Sequence, residues 1–175
     1  MSSATLYGQS EASVPQGKEL GLRFSGFNDF NLFYKTALKE NVYRRHRFIF
    51  GRIGYGNIGN GLDINLGYAF GNERRRYIND EFGLYSGWEL GFSYGFNGSE
   101  LNDGFRSRQH TFTPSVSLVL GAFLELSPRF ILSAEVSPTL FVSYSIFNRE
   151  EIENRLTVVG EANTSQTALA LMYRF

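Results

Sequence analysis

From Glu19 onward the chain alternates bulky apolar residues with small or polar ones at a period of two. That period predicts strands with two unlike faces. Glu81 to Phe96 reads most clearly. One parity is Phe82, Leu84, Ser86, Trp88, Leu90, Phe92, Tyr94 and Phe96; the other is Gly83, Tyr85, Gly87, Glu89, Gly91, Ser93 and Gly95. Phe112 to Leu126 and Phe130 to Tyr144 repeat the pattern, separated by a tight turn at Ser127-Pro128-Arg129. Five further segments alternate: Glu19 to Gly26, Phe30 to Leu38, Tyr43 to Gly54, Leu62 to Phe70, and Thr167 to Phe175. The pattern therefore predicts an all-β chain of eight antiparallel strands.

The expected connections are 28–29, 39–42, 55–61, 71–80, 97–109, 127–129 and 146–164. In an up-and-down barrel the long charged ones, 97–109 and 146–164, fall on one end. Both termini fall on the other. Residues 1–17 are small and polar, and read as a flexible arm before a barrel over 18–175.

Composition narrows the choice. The chain has 175 residues, with 17 Phe, 10 Tyr, 1 Trp and 19 Gly. Its mean hydropathy is −0.22, and it has no apolar run of the length a transmembrane helix requires. Net charge is zero, so no bulk attraction to nucleic acid is expected. Cysteine is absent, which excludes disulfides, thiolate metal ligands and thiol nucleophiles. The start lacks a basic region followed by an apolar one, so either the protein is not exported or a leader was removed. A lipid-facing exterior, deduced next, favours the second.

Three observations place the apolar face outside. An eight-stranded interior is just wide enough for side chains to fill, and so many Phe, Leu and Tyr residues overfill it. The opposite parity is rich in Gly, Ala and Ser, which leaves room inside for a few long side chains. These are Arg23, Lys35, Arg45, Arg47 and Arg174, with Asp63, Glu89, Glu125 and Glu135. Enclosed charges must pair, and the near balance suits a lumen network. Aromatics also gather at strand ends: Tyr43, Phe82, Phe130, Tyr173 and Phe175 on the terminus side, and Phe30, Phe96, Phe112 and Tyr144 opposite. Two such belts match two membrane interfaces.

The ending Ala170-Leu171-Met172-Tyr173-Arg174-Phe175 resembles the C-terminal strand of bacterial outer-membrane β-barrels. The whole of 18–175 is similar to the small eight-stranded families of OmpA-barrel and OmpX type. The resemblance implies a bacterial outer-membrane location, with short turns and termini periplasmic and long loops extracellular. It also implies that Leu169, Leu171, Tyr173 and Phe175 carry the signal read by the barrel-assembly machinery.

Candidates for chemistry are few. Gly54-Tyr55-Gly56-Asn57-Ile58-Gly59 matches a dinucleotide fingerprint, but a strand rather than a helix is expected next. His46 and His110 fall at opposite ends, so no shared metal site is expected. The chain resembles lipid A deacylases and palmitoyltransferases in size and fold. The deacylases place Ser two residues after the catalytic His; here Phe112 follows His110 and Phe48 follows His46. Ser115 and Ser117 share a parity, without an acid that can be assigned to them. Glu89, Glu125 and Glu135 form an acid–base set or, as the favoured reading, structural partners of Arg23, Arg47 and Arg174. The run Glu73-Arg74-Arg75-Arg76 reads as a solvated turn.

The expectation is a non-catalytic outer-membrane anchor or scaffold. It takes no cofactor or metal. Its partners are outer-membrane lipid, the assembly machinery, and proteins or surface polymer at loops 97–109 and 146–164, with no nucleic acid. A lipid-modifying enzyme using His110 and a narrow channel are the alternatives.

Overall fold

The computed structural model describes residues 17–25, 30–56, 61–100, 106–149, 152–163 and 167–175; the predicted arm, at 1–16, and the connection 28–29 lie outside them. Ten β-segments follow in order: β1 (Lys18–Phe24), β2 (Phe30–Lys39), β3 (Val42–Gly56), β4 (Gly61–Tyr77), β5 (Phe82–Glu100), β6 (Arg106–Glu125), β7 (Phe130–Val136), β8 (Thr139–Arg149), β9 (Ile152–Asn163) and β10 (Thr167–Arg174). All pairings are antiparallel. β7 and β8 are the two halves of one wall, interrupted at Ser137-Pro138. The lower half of β6 pairs with β7 and its upper half with β8. β10 continues the wall begun by β9, and pairs with both β7 and β1. The ring is a closed barrel of eight walls.

Closure requires the strands to be staggered. From Leu22 the register runs one way through Leu32, Phe48, Tyr68 and Phe92 to Pro114. The other way it runs through Leu171 and Leu132 to Leu124. The two paths reach β6 ten residues apart, the shear of a tilted barrel.

Local chemistry sets the short turns. Asn41 has φ 57°, a left-handed conformation that Asn tolerates. Asn79 Oδ1 accepts from the amides of Glu81 (3.0 Å) and Phe82 (2.7 Å). Ser127 Oγ accepts from those of Arg129 (3.3 Å) and Phe130 (3.1 Å). Each side chain holds a bend by replacing a backbone acceptor.

Several connections are shorter than the sequence suggests. Residues 71–77 are strand, not loop, because β4 continues pairing with β5 to Tyr77↔Gly83. Within the predicted loop 97–109, residues 97–100 belong to β5 and 106–109 to β6, and residues 101–105 lie outside the described residues; most of 146–164 is the hairpin of β8 and β9. Polar side chains on both faces conceal a strand that has left the apolar layer, since alternation marks only strands with one wet and one oily face.

The outer surface is apolar. Leu20, Leu22, Phe24, Leu66, Phe70, Leu90, Leu118, Leu132, Leu171 and Phe175 are all exposed, while the alternate positions are buried. This is the reverse of a soluble barrel and the distribution of one that faces lipid. Phe130, Tyr173, Phe175, Phe30 and Tyr144 of the expected belts are exposed, and Phe82, Phe96 and Phe112 are half-buried. Tyr43 departs from its expected belt. It points inward and is buried, joining Phe33, Tyr85 and Phe123 inside. Glycines make room for these rings. A Cβ at Gly121 collides with the Tyr85 ring, and one at Gly83 with Phe123.

Candidate functional site

The lower lumen holds one continuous network of ion pairs, built by the inward parity of every wall. Its hub is Arg45 on β3. Nε donates to Glu89 Oε1 (2.9 Å), Nη1 to Glu73 Oε2 (2.9 Å) and Nη2 to Glu135 Oε2 (3.0 Å). The three carboxylates come from β5, β4 and β7. Arg45 is fully buried.

Each carboxylate has further partners. Glu89 accepts from Arg47, Nη2 at 2.7 Å. Glu135 Oε1 accepts from Arg23 Nε at 2.6 Å, and its Oε2 accepts from the Tyr85 hydroxyl at 3.1 Å. Glu73 accepts from Lys35 Nζ at 2.7 Å and from Arg75 Nε at 2.8 Å. Arg75 Nη1 donates to Glu19 at 2.8 Å. Arg174 donates to Glu19 at 3.4 Å and to Glu125 at 2.8 Å. The inward aromatics cover the cations. The Arg75 guanidinium lies 3.9 Å from the Tyr43 ring centre, and that of Arg45 lies 4.8 Å from Phe33. Such contacts suit desolvated guanidinium groups.

Of the nine charges expected inside, the structure brings eight into this network: Arg23, Lys35, Arg45, Arg47, Glu89, Glu125, Glu135 and Arg174. Asp63 stands apart. It lies high on β4, opposite Gly54 and Asn97, and has no ion pair among the described residues. Three members were not anticipated: Glu19, Glu73 and Arg75. Glu19 shares the parity of Gly21 and Arg23. Glu73 and Arg75 continue the parity of Gly67, Ala69 and Gly71, a signal masked because Arg74 and Arg76 beside them are also charged.

Above the charges the lining changes to hydroxyls. Across β6 and β8, Ser117 meets Thr139 (2.8 Å), Thr113 meets Ser143 (3.2 Å) and Thr111 meets Ser145 (3.0 Å). The remaining candidates sit elsewhere. His110 faces outward, its Nδ1 at 2.8 Å from the Tyr94 hydroxyl and its ring 5.2 Å from Phe96. His46 also faces outward, 2.6 Å from the Tyr68 hydroxyl. Among the described residues neither histidine has a carboxylate or serine partner. No three His, Asp or Glu among them are grouped to hold a metal ion. Gly54 and Gly56 lie within β3 and pair with β4, and the next described element is the strand β4; residues 57–59 of the motif lie outside the described residues.

The arrangement is that of a plug. Its side chains fill the lower lumen, and each carboxylate is engaged by cations, leaving none as a free base.

Comparison with known proteins agrees at the level of fold. A major outer membrane protein from Thermus thermophilus has a similar structure, with a TM-score of 0.55 and 11% sequence identity over 91% of this chain and 98% of that one. The likeness is one of barrel architecture. No protein-family description matches the chain. No curated protein matches its sequence.

Proposed function

We propose that the protein is a bacterial outer-membrane barrel of the small OmpA-barrel or OmpX kind. It acts without catalysis, as an anchor whose extended hairpins contact proteins or surface polymer. The observation that carries this reading is strand length. β5 has 19 residues and β6 has 20, paired in register from Phe82↔Leu124 to Glu100↔Arg106. A tilted strand needs only about 9–11 residues to cross a bilayer. On β6 the outward parity passes from Leu118, Val116, Pro114 and Phe112 to His110 and Arg108, which supports an exit from lipid near Phe112. The upper hairpins then stand clear of the membrane as a sheet, a stiffer display than free loops.

The plugged lower lumen supports a scaffold over a channel. The outward histidines, without a nucleophile or acid, support it over a lipid-modifying enzyme. The apolar outward row Leu169, Leu171, Tyr173 and Phe175 suits a strand handled by the assembly machinery.

The test is to shorten the β8–β9 hairpin to a tight turn at Tyr144 and Val158, and the β5–β6 hairpin to one at Phe96 and His110. Barrels are then purified from native outer membranes. The reading expects normal heat-modifiable migration with loss of co-purifying protein or polymer. Unchanged co-purification, or stepwise conductance of the intact barrel in planar bilayers, overturns it.

A further inference from the structure

One sector of the outer face departs from the apolar rule. Counting up from the lower rim, the first two outward positions are apolar or aromatic on β5 (Phe82, Leu84), β6 (Leu124, Ala122), β7 (Phe130, Leu132) and β10 (Phe175, Tyr173). On β4 they are Arg76 and Arg74, and on β3 Arg44 follows Val42. These arginines share the outward parity of Phe48 on β3 and of Tyr68 and Phe70 on β4, and all three are exposed.

The register brings the cations together. Arg44 stands opposite Asn72, and Val42 opposite Arg74. Arg44 and Arg74 are therefore diagonal neighbours, about 7–8 Å apart at sheet spacing. Arg76 follows Arg74 on the same face, and Lys39 pairs with Val42 at the end of β2. Like charges gathered in this way repel one another. Among the described residues, neither Lys39 nor any of the three arginines is in an ion pair.

A groove of about 1550 Å³ lies against this sector. It follows the cross-strand row Val42, Arg74, Ser86 and Leu120. Ser86 makes the dent, being the small residue between Leu84 and Trp88 on the outward parity of β5. Leu84, Trp88 and Leu120 are exposed and give the groove an apolar flank. Arg74 and Arg76 give it a basic one, with Lys39 at the edge. Two carboxylates line it. Glu73 is buried and held by Lys35, Arg45 and Arg75. Glu40, on the turn between β2 and β3, pairs with none of the cations.

A basic flank beside an apolar one, on a surface that faces lipid, selects one occupant. The arginines stand at the strand positions where the other walls carry Phe130 and Tyr173 of the lower aromatic belt, so they meet the interface. Long cationic side chains at that depth reach out to headgroups, and a group of cations without carboxylate partners favours a headgroup of net negative charge. We infer that this sector binds an anionic glycerophospholipid, its phosphodiester on Arg44, Arg74 and Arg76 and an acyl chain along Trp88 and Leu120. The inference rests on the outward parity facing lipid, and on the terminus end lying in the periplasmic, phospholipid leaflet.

The test is native mass spectrometry of the folded full-length protein, released from octyl glucoside after equilibration with dimyristoyl phosphatidylglycerol, dimyristoyl phosphatidylcholine or lipid A. The expected result is one saturable phosphatidylglycerol per barrel, held at least tenfold more tightly than phosphatidylcholine. The double variant Arg74→Gln/Arg76→Gln removes that preference, whereas Arg108→Gln, at the opposite end of the barrel, keeps it. Ser86→Trp fills the groove without changing any charge and weakens phosphatidylglycerol binding at least fivefold; it keeps the test decisive if the double variant fails to fold. A barrel with normal heat-modifiable migration that holds both phospholipids equally overturns the site and leaves the outward assignment standing. Wild-type protein that stays soluble without detergent overturns both. Undiminished preference in the double variant, undiminished binding in Ser86→Trp, loss of preference in Arg108→Gln, or tighter binding of lipid A also overturns the proposal.

Discussion

Arg45 and Glu135 meet across the barrel at 3.0 Å, although β3 and β7 share no ladder. Arg45 thereby joins walls that backbone hydrogen bonds do not join directly. Through it and Glu73 the network reaches Arg23 and Glu19 on β1, Lys35 on β2, Glu89 on β5, Glu125 on β6 and Arg174 on β10. Truncating Arg45 leaves three carboxylates crowded in the lumen. Arg45→Ala is expected to destabilise the barrel by about 3–5 kcal/mol, the scale of breaking a buried pair. Arg45→Lys rescues only in part, since an ammonium cannot match the planar fork that reaches three acceptors. Urea unfolding of the barrel in lipid vesicles, followed by heat-modifiable migration, measures both.

Lys35 and Glu73 are both fully buried at 2.7 Å. Glu73→Gln strands Lys35 beside Arg45 and Arg75, and is expected to cost more than the double variant Lys35→Met/Glu73→Gln. A double-mutant cycle in the same unfolding assay reads the coupling. Strict additivity removes the pair from the structural account.

Gly121 lies under the Tyr85 ring. Gly121→Ala is expected to destabilise by about 1–3 kcal/mol through overpacking. Tyr85→Leu in the same chain relieves part of that cost by removing the ring. If Gly121→Ala behaves like wild type at equilibrium, the inward ring packing is wrong.

The two faces should respond oppositely to charge. Leu118→Arg places a cation on the lipid face, at a cost of about 2–4 kcal/mol at mid-depth. Thr113→Arg points into the hydroxyl-lined upper lumen and is expected to fold and insert near normally. Comparing insertion yields into vesicles tests the inside–outside assignment.

His110→Ala is expected to leave the lipid A profile of expressing cells unchanged. His110 has only Tyr94 as a hydrogen-bond partner among the described residues. A changed acylation pattern restores the enzyme reading.

Much of the architecture was legible in the residues. A period of two is local, so each strand crossing the apolar layer declared itself, and the bulk of one parity against the smallness of the other settled which face met lipid. The same rule explains the omissions. Glu73 and Arg75 lie where charged outward neighbours erase the alternation, and the β8–β9 hairpin read as a loop because its sequence sets charged residues among apolar ones. Tyr43 looked like a belt residue because residue type does not reveal which way the first residues of an irregular strand point.

Alternation by itself determined two unlike faces, eight walls and a charged interior. Only the tertiary structure decided which charges meet. Arg45 finds Glu135 ninety positions away because shear and closure bring β3 and β7 to face each other across the lumen, and no local pattern encodes stagger between distant strands.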